Sequence, residues 1–250
     1  MSATFFRVPT DTPQIADARF DPGAGLTPSP EVVNQSEGAQ LLYHLQQHTQ
    51  PNPCIVQFVA CHLGEGTSTI SRDLALIAAG LGQKVLLLDF GHAGRGGHGP
   101  GESQAQWLRD RRGPASLRAW EPTTSPFVNP TNKQLPPGIR ILQAGMSGLY
   151  VSELTEPWMP TPAFCTDLFR VLRTCFDVVL VDSSPLDQSA DALLMAQHVT
   201  TSVLVVAAEQ TRLKVAEDLR NRIIEVGGDI AGVTLNRRRF HIPRWIYDWL

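Results

Sequence analysis

The sequence predicts an α/β fold with a mostly parallel central sheet and helices on both faces. Three observations predict it. Short, continuously apolar runs such as Val85–Leu88 and Val178–Val181 recur along the chain, and strands without polar alternation are those covered on both faces. Helix-length segments with an apolar stripe alternate with these runs, the order that yields parallel strands joined by right-handed crossovers. A glycine-rich turn, Leu63-Gly64-Glu65-Gly66-Thr67-Ser68-Thr69, lies between the first run and its helix.

Residues 1–35 are rich in Pro, Thr, Asp and Gly without periodicity and are expected to form a disordered arm. Residues 36–50 read as a helical linker, with Leu41, Leu42 and Leu45 as its stripe and Pro51 and Pro53 as its stop. The main domain is expected over 51–236. Its predicted elements are a strand at Cys54–Ala60, a helix at Ser68–Leu81 closed by Gly82, and a strand at Lys84–Asp89. A glycine-rich stretch with His92 and His98, a short helix around Gln104–Arg111 and a Pro-rich loop to Pro137 follow. Ile139–Gln143 reads as a strand, Thr161–Cys175 as a helix, Asp177–Asp182 as a strand, Ala190–His198 as a helix and Ser202–Ala208 as a strand. Arg212–Val226 is a predicted helix closed by Gly227-Gly228, and Ile230–Asn236 the last strand. Residues 237–250 form a basic, aromatic tail, with Arg237, Arg238, Arg239, Trp245 and Trp249.

Composition narrows the function classes. Of 250 residues, 42% are hydrophobic and 18% charged, enough for a large core. A net charge of −3 gives no general affinity for nucleic acid, and none is expected as a partner. No apolar run reaches membrane-span length, and Met1–Thr10 lacks a signal-peptide layout. Four cysteines without Cys-x-x-Cys spacing suit reduced thiols in a cytoplasmic protein. His92 and His98 have no companion ligands at metal-site spacing.

The glycine turn carries the chemistry. Gly64 and Gly66 permit close approach of backbone to phosphate, and the N–H groups of Thr67, Ser68 and Thr69 open a helix whose positive end attracts an anion. Strand, loop and helix occur in the order a phosphate-binding loop requires. Ser68 stands where such loops hold Mg²⁺ through a hydroxyl, but Thr67 stands where they place a lysine. Asp89 and Asp182 each end an apolar strand, where ligands collect in parallel sheets. Asp182 has the layout of a Walker B aspartate, and Asp89 is its candidate catalytic companion. Arg72, one helical turn after Ser68, reads first as a surface arginine paired with a nearby acid, and alternatively as a replacement cation, because helical side chains lean toward the amino end. Asp187 and Asp191 read as starting and capping the next helix.

On these residues the chain resembles the cytoplasmic domain of the bacterial tyrosine kinases, the capsular or exopolysaccharide chain-length regulators, within the ParA/MinD-like (SIMIBI) P-loop ATPases. The resemblance runs through Gly64-Glu65-Gly66-x-Ser68-Thr69, Gly82-x-Lys84-Val85-Leu86-Leu87-Leu88-Asp89, Phe176-Asp177-Val178-Val179-Leu180-Val181-Asp182-Ser183-x-Pro185 and Gly232-Val233-x-Leu235-Asn236. It implies a P-loop NTPase fold, ATP or ADP with Mg²⁺, and a polysaccharide co-polymerase at the inner membrane as partner. By resemblance Gly64, Glu65, Gly66, Thr67, Ser68, Thr69 and Asn236 are the nucleotide contacts, Ser68 and Asp182 the metal contacts. The departures fall on the chemistry. The family's P-loop lysine is Thr67, its preceding proline is Leu63, and its second acidic group after Asp89 is Gly91. The tail holds only Tyr247 in place of a tyrosine cluster. In the oligomerising helix, Glu37 is followed by Gln40 and Tyr43 rather than two arginines. Losing one preorganised charge-stabilising group commonly costs about 10²–10³-fold in rate. The sequence therefore points to a catalytically impaired, kinase-like regulator with nucleotide binding weakened or lost, peripheral to the inner membrane. The alternatives are an active ATPase or tyrosine autokinase with a substituted cation, or a MinD-like positioning ATPase whose tail rests on the membrane.

Overall fold

The computed structural model describes residues 4–6, 35–48, 54–91, 103–112, 117–120, 135–155 and 160–237. In chain order these form β1 (Thr4–Phe6), α1 (Gln35–His48), β2 (Cys54–Ala60), α2 (Thr67–Gly80), β3 (Val85–Asp89), α3 (Gln104–Arg112), β4 (Leu117–Trp120), β5 (Ile139–Ala144) and β6 (Leu149–Leu154). They continue as α4 (Pro162–Cys175), β7 (Val178–Asp182), α5 (Asp191–Ala196), β8 (Thr201–Ala207), α6 (Leu213–Glu225) and β9 (Ile230–Asn236).

The strands make one sheet in the order β1-β9-β8-β2-β7-β3-β6-β5-β4. The six from β9 to β6 run parallel, whereas β1, β5 and β4 join antiparallel at the two edges. All seven residues of β2 and of β8 are buried, as are all five of β3 and of β7. Their mostly apolar character follows from double cover. Alternate residues serve opposite faces: Cys54, Val56, Phe58, Val85 and Leu87 pack with α1, α2 and α3, and Ile55, Leu86 and Leu88 pack with α4 and α5. A further cluster places Val59 and Leu204 against α5 and α6.

Several expectations change. Thr4–Phe6, read as part of a disordered arm, is an edge strand paired antiparallel with β9. Helix α1 is more than a linker: Leu41, Leu42 and Leu45 are buried against α2 and the sheet. Strands β4 and β6 were not foreseen. β6 enters beside β3 through a turn in which Gly148 has φ 81°, and a Cβ there would lie 2.5 Å from the Gln83 carbonyl oxygen. Helix α4 begins as expected, Thr161 Oγ1 accepting from the Phe164 N–H with Pro162 in the first turn. Helix α5 starts at Asp191 with Ala190 at its N-cap and no side-chain cap bond, so neither Asp187 nor Asp191 caps it. The glycine-rich stretch with His92 and His98, and the basic tail beyond Arg237, lie outside the described residues. Among the described residues no helix is long and apolar enough to cross a membrane.

Candidate functional site

The site lies beyond the carboxyl ends of β2, β3 and β7, where the parallel sheet delivers the glycine loop and both aspartates together. Gly66 is the N-cap of α2 with φ 106°, a left-handed geometry natural to glycine. No side chain caps this helix, so neither the Thr67 nor the Ser68 hydroxyl closes it. The first intrahelical bonds come from the N–H groups of Thr69 and Ile70, both to the Gly66 oxygen. The N–H groups of Thr67 and Ser68 therefore open the helix as donors of the kind that receives an anion.

Glu65 does something the motif did not announce. It is 3% exposed, and its carboxylate faces into the protein. Oε2 accepts from the N–H groups of Cys61 (2.7 Å) and His62 (3.0 Å), while Oε1 accepts from the Ala207 N–H (3.4 Å) and the Thr211 hydroxyl. The side chain thus pins the loop to its own start and to the end of β8, leaving the backbone as its means of meeting a ligand. Asn236 is a second brace. Its Nδ2 donates to the Glu65 carbonyl (2.8 Å), and its Oδ1 accepts from the Arg237 N–H (2.8 Å). A Cβ at Gly66 would come within 2.0 Å of that Nδ2, so glycine is required there for contact as well as for φ. Both ends of the Asn236 amide are engaged within the protein.

Asp89 and Asp182 are direct neighbours across β3 and β7, 6% and 0% exposed. Between them and the loop stands Gln104, the first residue of α3 and itself 0% exposed. Its N–H donates to Asp89 Oδ2 (2.8 Å), so this carboxylate sits at the positive end of α3. Its Nε2 donates to Asp182 Oδ2 (2.9 Å) and to the Ser68 carbonyl (3.0 Å), and its Oε1 accepts from Arg72 Nε (2.7 Å). Only this amide orientation matches donors to acceptors at all three contacts. Helix α3 is held in place by Arg72, whose guanidinium lies 4.2 Å from the Trp107 ring centroid, and by Arg109, which pairs with Glu153 at 2.6 Å.

The predicted site residues are therefore brought together, with altered partners. Arg72 turns to Gln104 and Trp107, not to the open side of the loop. Arg237 comes to the loop from the end of β9: its Nη2 is 3.7 Å from the position a Gly64 Cβ would take. Gly91, where the family pattern has an acid, has no room to spare, since a Cβ there would lie 3.2 Å from Asp182 Oδ2. Gln104 was missed because a glutamine at a helix start carries no motif. Its role comes from tertiary placement alone.

A divalent cation held by such a motif needs Ser68 Oγ and, through water, an Asp182 oxygen, and Mg²⁺ keeps several waters. The Gln104 carboxamide is bonded to Asp182 Oδ2 and to the Ser68 carbonyl, not to the Ser68 hydroxyl or Asp182 Oδ1. A hydrated Mg²⁺ on Asp182 Oδ2 would have to displace that amide while α3 keeps this position. Among the described residues no group of three or more His, Cys, Asp and Glu is arranged to hold a metal.

No family model matches the chain. It is 25% identical over 179 residues to the tyrosine-protein kinase YwqD of Bacillus subtilis (strain 168), covering 70% of this chain and 69% of YwqD. It is 21% identical over 191 residues to the tyrosine-protein kinase CpsD of Streptococcus pneumoniae, covering 76% of this chain and 79% of CpsD. The fold matches the crystal structure of the chimerical protein CapA2B2 with a TM-score of 0.57 at 19% identity, over 85% of this chain and 87% of that one.

Proposed function

We propose that this chain is a member of the bacterial tyrosine-kinase family and a kinase-like regulator of exopolysaccharide or capsule biosynthesis or export that acts by docking and not by phosphoryl transfer. One observation carries the reading: an intact phosphate loop, with Thr67 in the lysine position, faces two strand-end aspartates that are hydrogen-bonded to Gln104. Phosphoryl transfer depends on positioning and on cations that neutralise charge developing on the transferred group. A threonine hydroxyl can donate a hydrogen bond to phosphate but brings no charge. The loop's geometry supports a scaffold that takes nucleotide as a structural ligand.

The partner in this reading is a polysaccharide co-polymerase at the inner membrane, with the chain held peripherally on the cytoplasmic side. The likeness to tyrosine-protein kinases supports that class of partner. Assembly with further copies or with an active kinase fits the same reading. The decisive experiment incubates the full chain with Mg-ATP and follows ADP release and phosphotyrosine by mass spectrometry, beside a Ser68→Ala, Asp182→Ala control. Equal, background-level signals are expected, together with co-purification of the co-polymerase from the native host. Turnover above the control refutes the docking role.

A further inference from the structure

We infer that the glycine loop is a metal-independent site for the phosphates of a nucleoside di- or triphosphate, with the Gln104 carboxamide in place of the divalent cation and the Arg237 guanidinium in place of the lysine. This rests on reading the loop as a nucleotide scaffold and deepens it by assigning the charge and the missing metal to two residues.

The metal half rests on the contacts of Gln104. One buried amide nitrogen serves both the Ser68 carbonyl and Asp182 Oδ2, and its oxygen is held by Arg72. Its backbone N–H serves Asp89. A hydrated cation would have to displace the side chain from all three partners and loosen α3. The Gln104 amide gives Asp182 Oδ2 a donor and its backbone N–H gives Asp89 Oδ2 another, so each aspartate has one oxygen compensated without a metal.

The charge half rests on Arg237. A non-glycine residue in the left-handed region is uncommon and marks a constrained position. Arg237 has φ 58°. The bend is tied to the loop itself, because the Arg237 N–H donates to Asn236, whose amide donates to Glu65. It brings the guanidinium of the exposed Arg237 to 3.7 Å from the position a Gly64 Cβ would take. Among the described residues Arg237 makes no ion pair. An arginine fork matches phosphate oxygens in a bidentate manner and stays charged at any working pH. With the Thr67 and Ser68 N–H groups at the start of α2, it supplies the donors and the charge that a phosphate takes.

The test is calorimetric titration of the full chain with ADP and with ATP, once in EDTA and once in excess Mg²⁺. Equal affinity in the two buffers is expected. Arg237→Ala is expected to weaken binding in EDTA by about tenfold or more, the usual cost of a charge-assisted hydrogen bond, with an unchanged thermal midpoint in the absence of nucleotide. Gln104→Glu places a third carboxylate beside Asp89 and Asp182. It is expected to create Mn²⁺ binding that electron paramagnetic resonance detects without nucleotide and that the parent chain lacks. Gln104→Ala, which opens the seat and leaves the aspartates intact, carries the same expectation should the glutamate variant fold poorly. Binding that appears or strengthens only with Mg²⁺, no binding in either buffer, Mn²⁺ binding by the parent chain, or an Arg237→Ala affinity equal to the parent would each overturn the inference. None of these results bears on the docking role, which fails separately on Mg-ATP turnover.

Discussion

Glu65→Ala removes the pin that holds the phosphate loop, and its cost can be worked from the contacts. The carboxylate accepts three backbone N–H bonds and one hydroxyl bond. His62 is exposed, so water can take over its N–H, and the Thr211 hydroxyl can turn elsewhere. The N–H groups of Cys61 and Ala207 belong to buried residues, and each costs about 1–3 kcal/mol when left without an acceptor. Against this stands the relief of no longer burying a carboxylate, which is why removing one side of a buried charged network costs about 3–5 kcal/mol and not the sum of its bonds. A loss of about 3 kcal/mol is expected, a large share of a typical stability of about 5–15 kcal/mol. Glu65→Gln keeps one acceptor oxygen for Cys61 and His62 and turns its NH₂ to Thr211, whose hydroxyl can accept. Only the Ala207 bond is then lost, and about 1–2 kcal/mol is expected. Urea unfolding followed by far-UV circular dichroism checks both, with midpoints ordered parent, Glu65→Gln, Glu65→Ala and an unchanged m-value. An alanine variant within about 0.5 kcal/mol of the parent, the range of an ordinary surface change, would show that the pin is not made in solution.

Three further outcomes follow from other parts of the molecule. Lys84 Nζ lies 5.0, 5.4 and 5.1 Å from the ring centroids of Trp120, Tyr150 and Phe176, so Lys84→Met should lower stability by about 1–2 kcal/mol in urea unfolding. Burial, then the charges of Glu65 and Asp187, push the Cys61 thiol up to about 12, and burial, then Asp191, pushes Cys165 up to about 11. Cys54 is buried as well, and Cys175 is half-buried. Thiol labelling of the native chain at mildly alkaline pH should therefore modify Cys175 first, and rapid modification of Cys61 would contradict the packing. Burial, then the charge of Arg173, holds the His198 imidazole below its ordinary 6.5. The unfolded chain then takes up the proton first, so this contribution is complete above pH 6.5 and is lost as pH falls through the folded value. His198→Gln should flatten that limb of the stability profile.

The sequence makes the sheet readable wherever strands are buried on both faces. Cys54–Ala60, Val85–Asp89, Val178–Asp182 and Thr201–Ala207 are buried throughout and mostly apolar because helices cover both sides of them. The edges were not readable, for the same reason in reverse. Strand β4 is four residues of Leu-Arg-Ala-Trp without full burial, and β1 is three residues long. Strand β6 breaks its apolar run with Ser152, whose buried hydroxyl accepts from the Asp89 N–H, and with Glu153, which pairs with Arg109 and Arg140. Within the site the glycines, Ser68 and both aspartates could be placed from spacing, since spacing fixes which strand end they reach. Their partners could not. Glu65, Asn236, Gln104 and Arg237 act across 171 residues in one pair and 78 in another, and no local pattern encodes such contacts.

This division explains how two buried aspartates sit side by side in a site that lacks its lysine. Two adjacent carboxylates would repel, and each would lose hydration, so a fold that held them only for a cation would gain stability when one was removed without that cation. The Gln104 contacts change the sign. Asp182 Oδ2 is an acceptor for the Gln104 carboxamide, and Asp89 Oδ2 for the first N–H of α3. Asp182→Ala should therefore destabilise the metal-free chain by about 1–3 kcal/mol, the cost of leaving a buried donor unmade. Urea unfolding in EDTA reads this directly. A variant more stable than the parent under those conditions would mean that repulsion outweighs the bond to Gln104, and that the aspartates are held for a cation after all.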